Sequence, residues 1–346
     1  MSTASPRARG FSMPAEWADH QSVFVAAPHL AHEWGDHFEA SRAEWVEMVR
    51  AIAVEAGERV DVLVADESVE RFCREALGGV SRVVLHRIAY GDVWTRDTAP
   101  IGLVAADGRH GAVRYRFNGW GGKYDMQGDA EVGDILLERW SGEHFQRPLV
   151  LEGGALEVDG EGTMLTTESC LFEPNRNPGM GREALEEELR ASFGVERVLW
   201  VRGGLANDHT DGHIDTIARF VAPGRVVCMA PSGPDDPNRD ALEQIASELA
   251  EMEDARGRRL EVLRIPSPGF IPDDEGQPLP ASYCNFYIGN RAVVVPTYGA
   301  AADAAAIEGL YSLFPGRKVV GRSARSIITG GGAFHCMTQQ VPGNPE

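Results

Sequence analysis

No stretch of the 346 residues approaches the roughly 20 consecutive apolar positions that a bilayer-spanning helix requires. The opening segment, Met1 to Arg9, lacks the apolar run of a secretory leader, so the expectation is a cytoplasmic protein. Cysteine is scarce: Cys73, Cys170, Cys228, Cys284 and Cys336 are odd in number and contain no CxxC pair. That argues against a disulfide framework and against a structural zinc site. Positive charge is also short, with 33 Lys and Arg against 52 Asp and Glu and a formal net charge of -19. Such a chain repels phosphate backbones and favours cations in any cleft its acids line, so neither nucleic acid nor a membrane is an expected partner. Low-complexity linkers are absent as well. With 43% hydrophobic and 25% charged residues the composition is that of an ordinary folded protein, and 1–346 reads as a single domain.

What the chain does contain is a recurring unit, a helix-like segment followed by a short apolar run and a polar turn, met about five times. Glu44 to Glu58 places Trp45, Met48, Val49 and Ile52 on one face, and Asp240 to Met252 does the same with Leu242, Ile245, Ala246 and Leu249. A third helix, entered at Asp303 as its N-cap, aligns Ile307, Leu310, Tyr311 and Phe314. Ser68 to Ala76, Val132 to Trp140 and Arg182 to Phe193 read the same way. The runs Val83-Val84-Leu85, Leu149-Val150-Leu151 and Val198-Leu199-Trp200 are too short for helices and read as buried strands, which makes the class α/β. Pro231 to Asn238 and Pro266 to Pro280 read as long surface loops, the second suited to be an active-site lid.

The polar residues after those strands carry the functional signal. Asp97, Glu152, His213, Asn285 and Cys336 fall at intervals of 55, 61, 72 and 51 residues. A period near 60 is too long for a solenoid, but polar groups set quasi-regularly after strands suggest repeated units around one centre.

Cys336 follows three glycines, Gly330 to Gly332, which permit a tight turn or close approach of backbone to ligand. It is either a small buried hydrophobe or a presented nucleophile. The other four cysteines sit in apolar runs and look structural. His213 and Asp215, two apart, would face one side of a strand and place an imidazole and a carboxylate in one pocket. His209 and His213 with Asp208, Asp211 and Asp215 offer a metal-binding alternative, which Gly212 and the β-like stretch after it disfavour. Asp97 and Glu152 are either solvated carboxylates or acids drawn inward to meet a cation, and Trp94 can offer its ring to the same cation or to the core. Together a thiol, a histidine and three carboxylates suit hydrolysis of a guanidinium, whose fork of N–H donors matches carboxylates and whose resonance-stabilised carbon demands a strong, well-placed nucleophile.

Seven motifs in order, spanning nearly the whole chain, give these residues a family resemblance. They are Met13-Pro14-Ala15-Glu16-Trp17, Trp94-Thr95-Arg96-Asp97, Asn118-Gly119-Trp120-Gly121-Gly122-Lys123-Tyr124, Leu151-Glu152-Gly153-Gly154, Thr210-Asp211-Gly212-His213-Ile214-Asp215, Ala281-Ser282-Tyr283-Cys284-Asn285-Phe286-Tyr287, and Gly332-Ala333-Phe334-His335-Cys336-Met337-Thr338-Gln339-Gln340. The sequence resembles the agmatine deiminase family, relatives of the Porphyromonas-type peptidylarginine deiminases within the guanidine-modifying superfamily. That resemblance implies a five-bladed α/β propeller (the pentein fold) with pseudo-fivefold symmetry and a central active site, without metal or organic cofactor. It gives Cys336 the place of the nucleophile, His213 that of the general acid/base, and Asp97, Glu152 and Asp215 those of the guanidinium-binding acids. Trp94 matches a substrate-contacting aromatic, and a homodimer is compatible with the pattern.

The implied reaction runs through a covalent thiouronium on Cys336. Ammonia leaves with a proton from His213, and water activated by His213 releases a ureido product, N-carbamoylputrescine when the substrate is agmatine. The expected partner is thus a small cationic guanidino compound. Two departures bear on its far end. His209 stands in Asp208-His209-Thr210 where agmatine-specific relatives often carry a glutamate associated with the substrate's distal amine, and Ala333 replaces a glycine. Deimination of arginine in peptides, hydrolysis of another small guanidino compound, and a non-enzymatic binding protein for cationic metabolites are the alternatives.

Overall fold

The structure is a computed structural model and describes residues 4–345. The expected unit of 1–346 thus includes Met1, Ser2, Thr3 and Glu346, which lie outside the described residues. Among the described residues the strands form five small sheets, and all five are built alike: an antiparallel pair, then a helix that crosses over to a parallel strand. One sheet pairs Ile101–Ala105 with His110–Arg116 antiparallel and returns through helix Asp129–Arg139 to parallel Glu143–Val150. The second uses Glu157–Val158 and Thr163–Thr167, then helix Arg182–Phe193 and strand Arg197–Val201. The third and fourth repeat this with Ala218–Ala222, Arg225–Ala230, helix Arg239–Glu251 and Glu261–Pro266, and with Tyr287–Ile288, Ala292–Thr297, helix Asp303–Leu313 and Lys318–Ser323. The fifth joins the two ends of the chain. Gln339–Pro342 pairs antiparallel with His20–Ala26, which is followed by helix Phe38–Arg50 and parallel Arg59–Val64, with Val83–Arg87 at the edge.

Local chemistry explains these elements. Thr163–Thr167 is buried throughout, and only the last residue of Ala292–Thr297 is not, as expected of strands covered on both faces. Helix Phe38–Arg50 buries Trp45, Val46, Met48 and Val49, continues as a wider turn over Ala51–Ala56, and stops at Gly57, whose φ of 70° is readily adopted by glycine. Helix Glu67–Ala76 starts at Asp66, whose Oδ1 accepts the backbone N–H groups of Ser68 at 2.7 Å and Val69 at 3.0 Å. No helix of the described residues is long and apolar enough to cross a membrane.

Some sequence expectations shift. Asp303 is the first helical residue, after Ala302, and its Oδ1 accepts instead from the Tyr283 hydroxyl at 2.6 Å and the Tyr298 N–H at 3.2 Å. The Val132 to Trp140 helix begins earlier, at Asp129, whose carboxylate accepts the N–H groups of Gly91 and Asp92. Val83–Arg87 is a strand but a half-exposed edge rather than a buried one. His213 and Asp215 do not lie on a strand: His213 precedes a single 3-10 turn, Ile214–Thr216, because Gly212 at φ 98° turns the chain and the Thr216 hydroxyl bonds back to the His213 carbonyl.

Candidate active site

Loops that follow strands of different sheets are tied to one another here. The N–H of Arg96 donates to the Cys336 carbonyl at 3.1 Å, and the Thr95 hydroxyl to the Met337 carbonyl at 2.8 Å. The Gly154 N–H donates to Asp97 Oδ1 at 2.9 Å, and Thr167 and Ser282 hydroxyls hold the carbonyls of Gly212 and Thr216 at 2.6 Å each. Asn285 organises the last loop: its Oδ1 accepts from the N–H groups of Ala333, His335 and Cys336, and its Nδ2 lies 3.1 Å from the Cys336 sulfur. Ala333 keeps an ordinary backbone conformation, so its departure from glycine strains nothing.

These contacts surround a cavity of about 160 Å³ lined by Trp34, Trp94, Asp97, Trp120, Tyr124, His209 and Cys336, with Glu33 and Asp92 on its wall. Trp94 packs against Trp34 with ring centroids 6.3 Å apart. Gly332 closes one side, since a side chain there would meet the Trp94 ring at 2.7 Å and Cys336 Cβ at 3.0 Å.

The Cys336 sulfur is 3.5 Å from Asp215 Oδ2. Burial, and then the charges of Asp215 and Asp97, push its thiol well up from the ordinary value. His213 is fully buried and neither ring nitrogen has a hydrogen-bond partner; Asp97 Oδ1 is 3.8 Å from its Nδ1. Burial alone would lower this imidazole, but Asp97, with the Cys170 thiol and Glu152, outweighs it and pushes it up to about 10. Asp97 in turn is raised by burial, with Asp215 and Glu152 adding and His213 and the Trp120 N–H opposing. Trp120 donates its indole N–H to Asp97 Oδ2 at 2.9 Å from a left-handed backbone, φ 53°, uncommon for a bulky residue. Asp215 is also buried; burial would raise it, but His335 holds its carboxyl below the usual range while its Oδ1 has no partner.

The sequence-selected residues do not all reach the cavity. Cys336, Asp97, Trp94 and His209 line it, while His213, Asp215 and Glu152 stand behind them. Glu152 accepts from Arg176 Nε through both carboxylate oxygens, at 2.8 and 3.0 Å, and Arg176 also bonds Asp211 at 2.7 Å and the Thr210 carbonyl. His209 stacks on Tyr124 and its Nδ1 lies 3.1 Å from that hydroxyl. The His209–His213 metal set is not assembled, because Asp211 is engaged by Lys123 and Arg176 and Asp208 by Thr210. Among the described residues, Glu152, Cys170 and His213 have ligand atoms within 4.8 Å of one another, but Arg176 already occupies the carboxylate.

Cys170 is therefore not a purely apolar filler: it abuts His213. That contact, Arg176 on Glu152, and the Trp120 and His335 contacts had no periodic signature; only the motif matches around 120 and 335 pointed to them.

A sequence profile of the Porphyromonas-type peptidyl-arginine deiminases matches residues 12–342. A protein of Marinomonas sp. (strain MWYL1) described as "Putative agmatine deiminase" is 37% identical over 98% of this chain and 96% of its own. The structure of the agmatine deiminase of Enterococcus faecalis superposes with a TM-score of 0.93 at 31% identity, covering 99% of each chain. That of a "Putative Arginine Deiminase" from Porphyromonas gingivalis superposes at 0.87 with 37% identity over 96% of this chain and 98% of that one.

Proposed function

The chain belongs to the Porphyromonas-type peptidyl-arginine deiminase family, and from that premise we propose that it is an agmatine deiminase. It hydrolyses agmatine to N-carbamoylputrescine and ammonia, a step toward putrescine, in the cytoplasm. The five like-built sheets are read as blades of a propeller around the cavity. The observation that carries the reading is the placement of the Cys336 sulfur 3.5 Å from Asp215, beside Asp97 and the unpartnered His213, around one small cavity.

The geometry supports the following roles. Asp97, on the cavity wall, takes the N–H fork of the guanidinium, and Asp215, buried behind the Cys336 sulfur with its Oδ1 unpartnered, adds a second negative charge. The positive charge of the guanidinium offsets the two carboxylates that keep the Cys336 thiol protonated, so substrate entry favours loss of that proton to solvent. The thiolate then bonds to the guanidinium carbon. In the tetrahedral adduct His213, an imidazolium at neutral pH, gives its proton to the departing nitrogen, the C–N bond breaks, and ammonia leaves a thiouronium. Neutral His213 next takes a proton from water, the hydroxide adds to the same carbon, and as the C–S bond breaks the remaining hydroxyl proton passes to the departing sulfur, restoring the Cys336 thiol and releasing the ureido product. Glu152, clasped by Arg176, acts in this scheme by helping to keep His213 charged rather than by gripping the guanidinium.

Size favours a small substrate over a polypeptide. A cavity of about 150 Å³ holds a molecule the size of benzene, and this one is of that order. Trp94 and His209 then line the path of the substrate's aliphatic chain. The test is direct: purified protein incubated with agmatine should release ammonia and N-carbamoylputrescine in equal amounts, and Cys336→Ala should bind agmatine without turnover. Citrulline formed in arginyl peptides while agmatine stays intact would overturn the proposal.

A further inference from the structure

Two acids on the cavity wall, Glu33 and Asp92, take no part in the chemistry at Cys336. The Trp94 ring fixes their place along the cavity. A side chain at Gly332 would meet Trp94 Cζ3 at 2.7 Å and the Cys336 sulfur at 3.2 Å, so that edge of the indole faces the nucleophile. The opposite edge faces the other acids. A side chain at Gly330 would meet Trp94 Cζ2 and Trp34 Cη2 at 3.0 Å each, and the indole N–H, on the Cζ2 side of the ring, is directed at the Asp92 carboxylate. Glu33 immediately precedes Trp34, and its charge acts on Asp92. One indole ring therefore separates a guanidinium held at Cys336 and Asp97 from a second acidic end of the same cavity.

That second end is held in place but carries no built-in cation. Asp129 accepts the N–H groups of Gly91 at 2.7 Å and Asp92 at 3.1 Å, which anchors the loop that presents the Asp92 side chain. Asp92 is half-buried and accepts from the Val93 N–H at 2.8 Å, and among the described residues no Lys or Arg acts on it. Burial pushes its carboxyl up to about 6, with the Glu33 charge adding to the effect. Glu33 itself contacts the exposed His32 at 3.2 Å. Glu152 is the contrast, since Arg176 already pairs with it. His209, on the same wall, stacks on Tyr124 and is backed by Gly331, and an imidazole supplies no negative charge.

We propose that Asp92, assisted by Glu33, is the specificity-determining group for the far end of the substrate, taking a primary ammonium at the end of the alkyl chain while Cys336 and Asp97 hold the guanidinium. This rests on the deiminase reading for the chemistry at Cys336 and names the residues that select a substrate charged at both ends. An ammonium between the two acids donates charge-assisted hydrogen bonds to groups that otherwise repel each other. The same two charges disfavour a substrate with a carboxylate at that end.

Binding tests this apart from turnover. Calorimetric titration of full-length Cys336→Ala compares agmatine with butylguanidine, the same guanidine with hydrogen in place of the terminal amine. Agmatine should bind at least about tenfold more tightly. Adding Asp92→Asn, which can still accept from the Val93 N–H, should weaken agmatine at least about tenfold, and adding Glu33→Gln, at a more exposed position, about threefold, with butylguanidine changed less than twofold in both. Equal affinities for the two compounds, no binding of either, or an equal loss on both in a variant that circular dichroism shows to be folded would overturn the proposal. Should the Asp92→Asn protein fail to fold, Glu33→Gln decides alone by the same comparison. Absence of ammonia release from agmatine by the unmodified enzyme would remove the deiminase reading and leave these affinities to decide the ammonium site.

Discussion

Asp97→Asn removes one charge while keeping nearly the same shape, so its effect on His213 can be worked from distance. Asp97 Oδ1 lies 3.8 Å from His213 Nδ1, and both groups are buried. Unit charges about 4 Å apart at an effective dielectric near 20 attract by about 4 kcal/mol, or about 3 pK units at 1.36 kcal/mol each. His213, now held up to about 10, should therefore ionise near neutrality in the variant, by about 3 units less. The sign is fixed: loss of a neighbouring anion disfavours the imidazolium, so the proton is released at lower pH. Proton NMR of the His213 ring in the Cys336→Ala background measures this without turnover. In the active enzyme, the fall in kcat at high pH should move to lower pH by a similar interval. A His213 midpoint that moves by less than one unit would refute the view that Asp97 holds the proton, and would leave the Cys170 and Glu152 side of the ring as the source.

Arg176→Met leaves the fully buried Glu152 without its ion pair and should destabilise the fold by about 3–5 kcal/mol, read by urea denaturation; a loss below about 1 kcal/mol would show the clasp to be dispensable. His209→Glu restores a negative charge at the cavity wall and should lower KM for agmatine up to about tenfold at low salt, with kcat unchanged; no change in KM would separate this position from recognition of the distal amine. Gly332→Ala puts a methyl 2.7 Å from the Trp94 ring and 3.2 Å from the Cys336 sulfur, so agmatine turnover should fall at least about a hundredfold in a folded protein, checked by ammonia release and circular dichroism. Trp120→Phe removes the N–H on Asp97 Oδ2, a hydrogen bond to a charged group worth about 1.5–3 kcal/mol, and should cut kcat/KM by about ten- to a hundredfold.

How much of this was legible in the chain depends on the kind of signal. The α/β class and six helices came from apolar periodicity, and the spacing of Asp97, Glu152, His213, Asn285 and Cys336 already marked one loop from each unit. The strand assigned to 213–215 failed because Gly212 and Thr216 impose a turn that alternation cannot reveal. What pattern reading misses altogether is pairing at long range. His335 meets Glu16 across 319 residues and Arg219 meets Glu16 across 203, and no local spacing records either. Yet those pairs decide the electrostatics of the site. Around the site Glu16, Asp97, Glu152, Glu157 and Asp215 are buried together with Arg96, Arg176, Arg219 and His213. A buried cluster of paired charges accepts an added cation more readily when an added anion appears with it. In the proposed reaction the guanidinium supplies the first and the Cys336 thiolate the second, which couples substrate binding to nucleophile formation. In that scheme burial and the charges of Asp215 and Asp97, which raise the Cys336 thiol, keep the sulfur protonated until a cation enters.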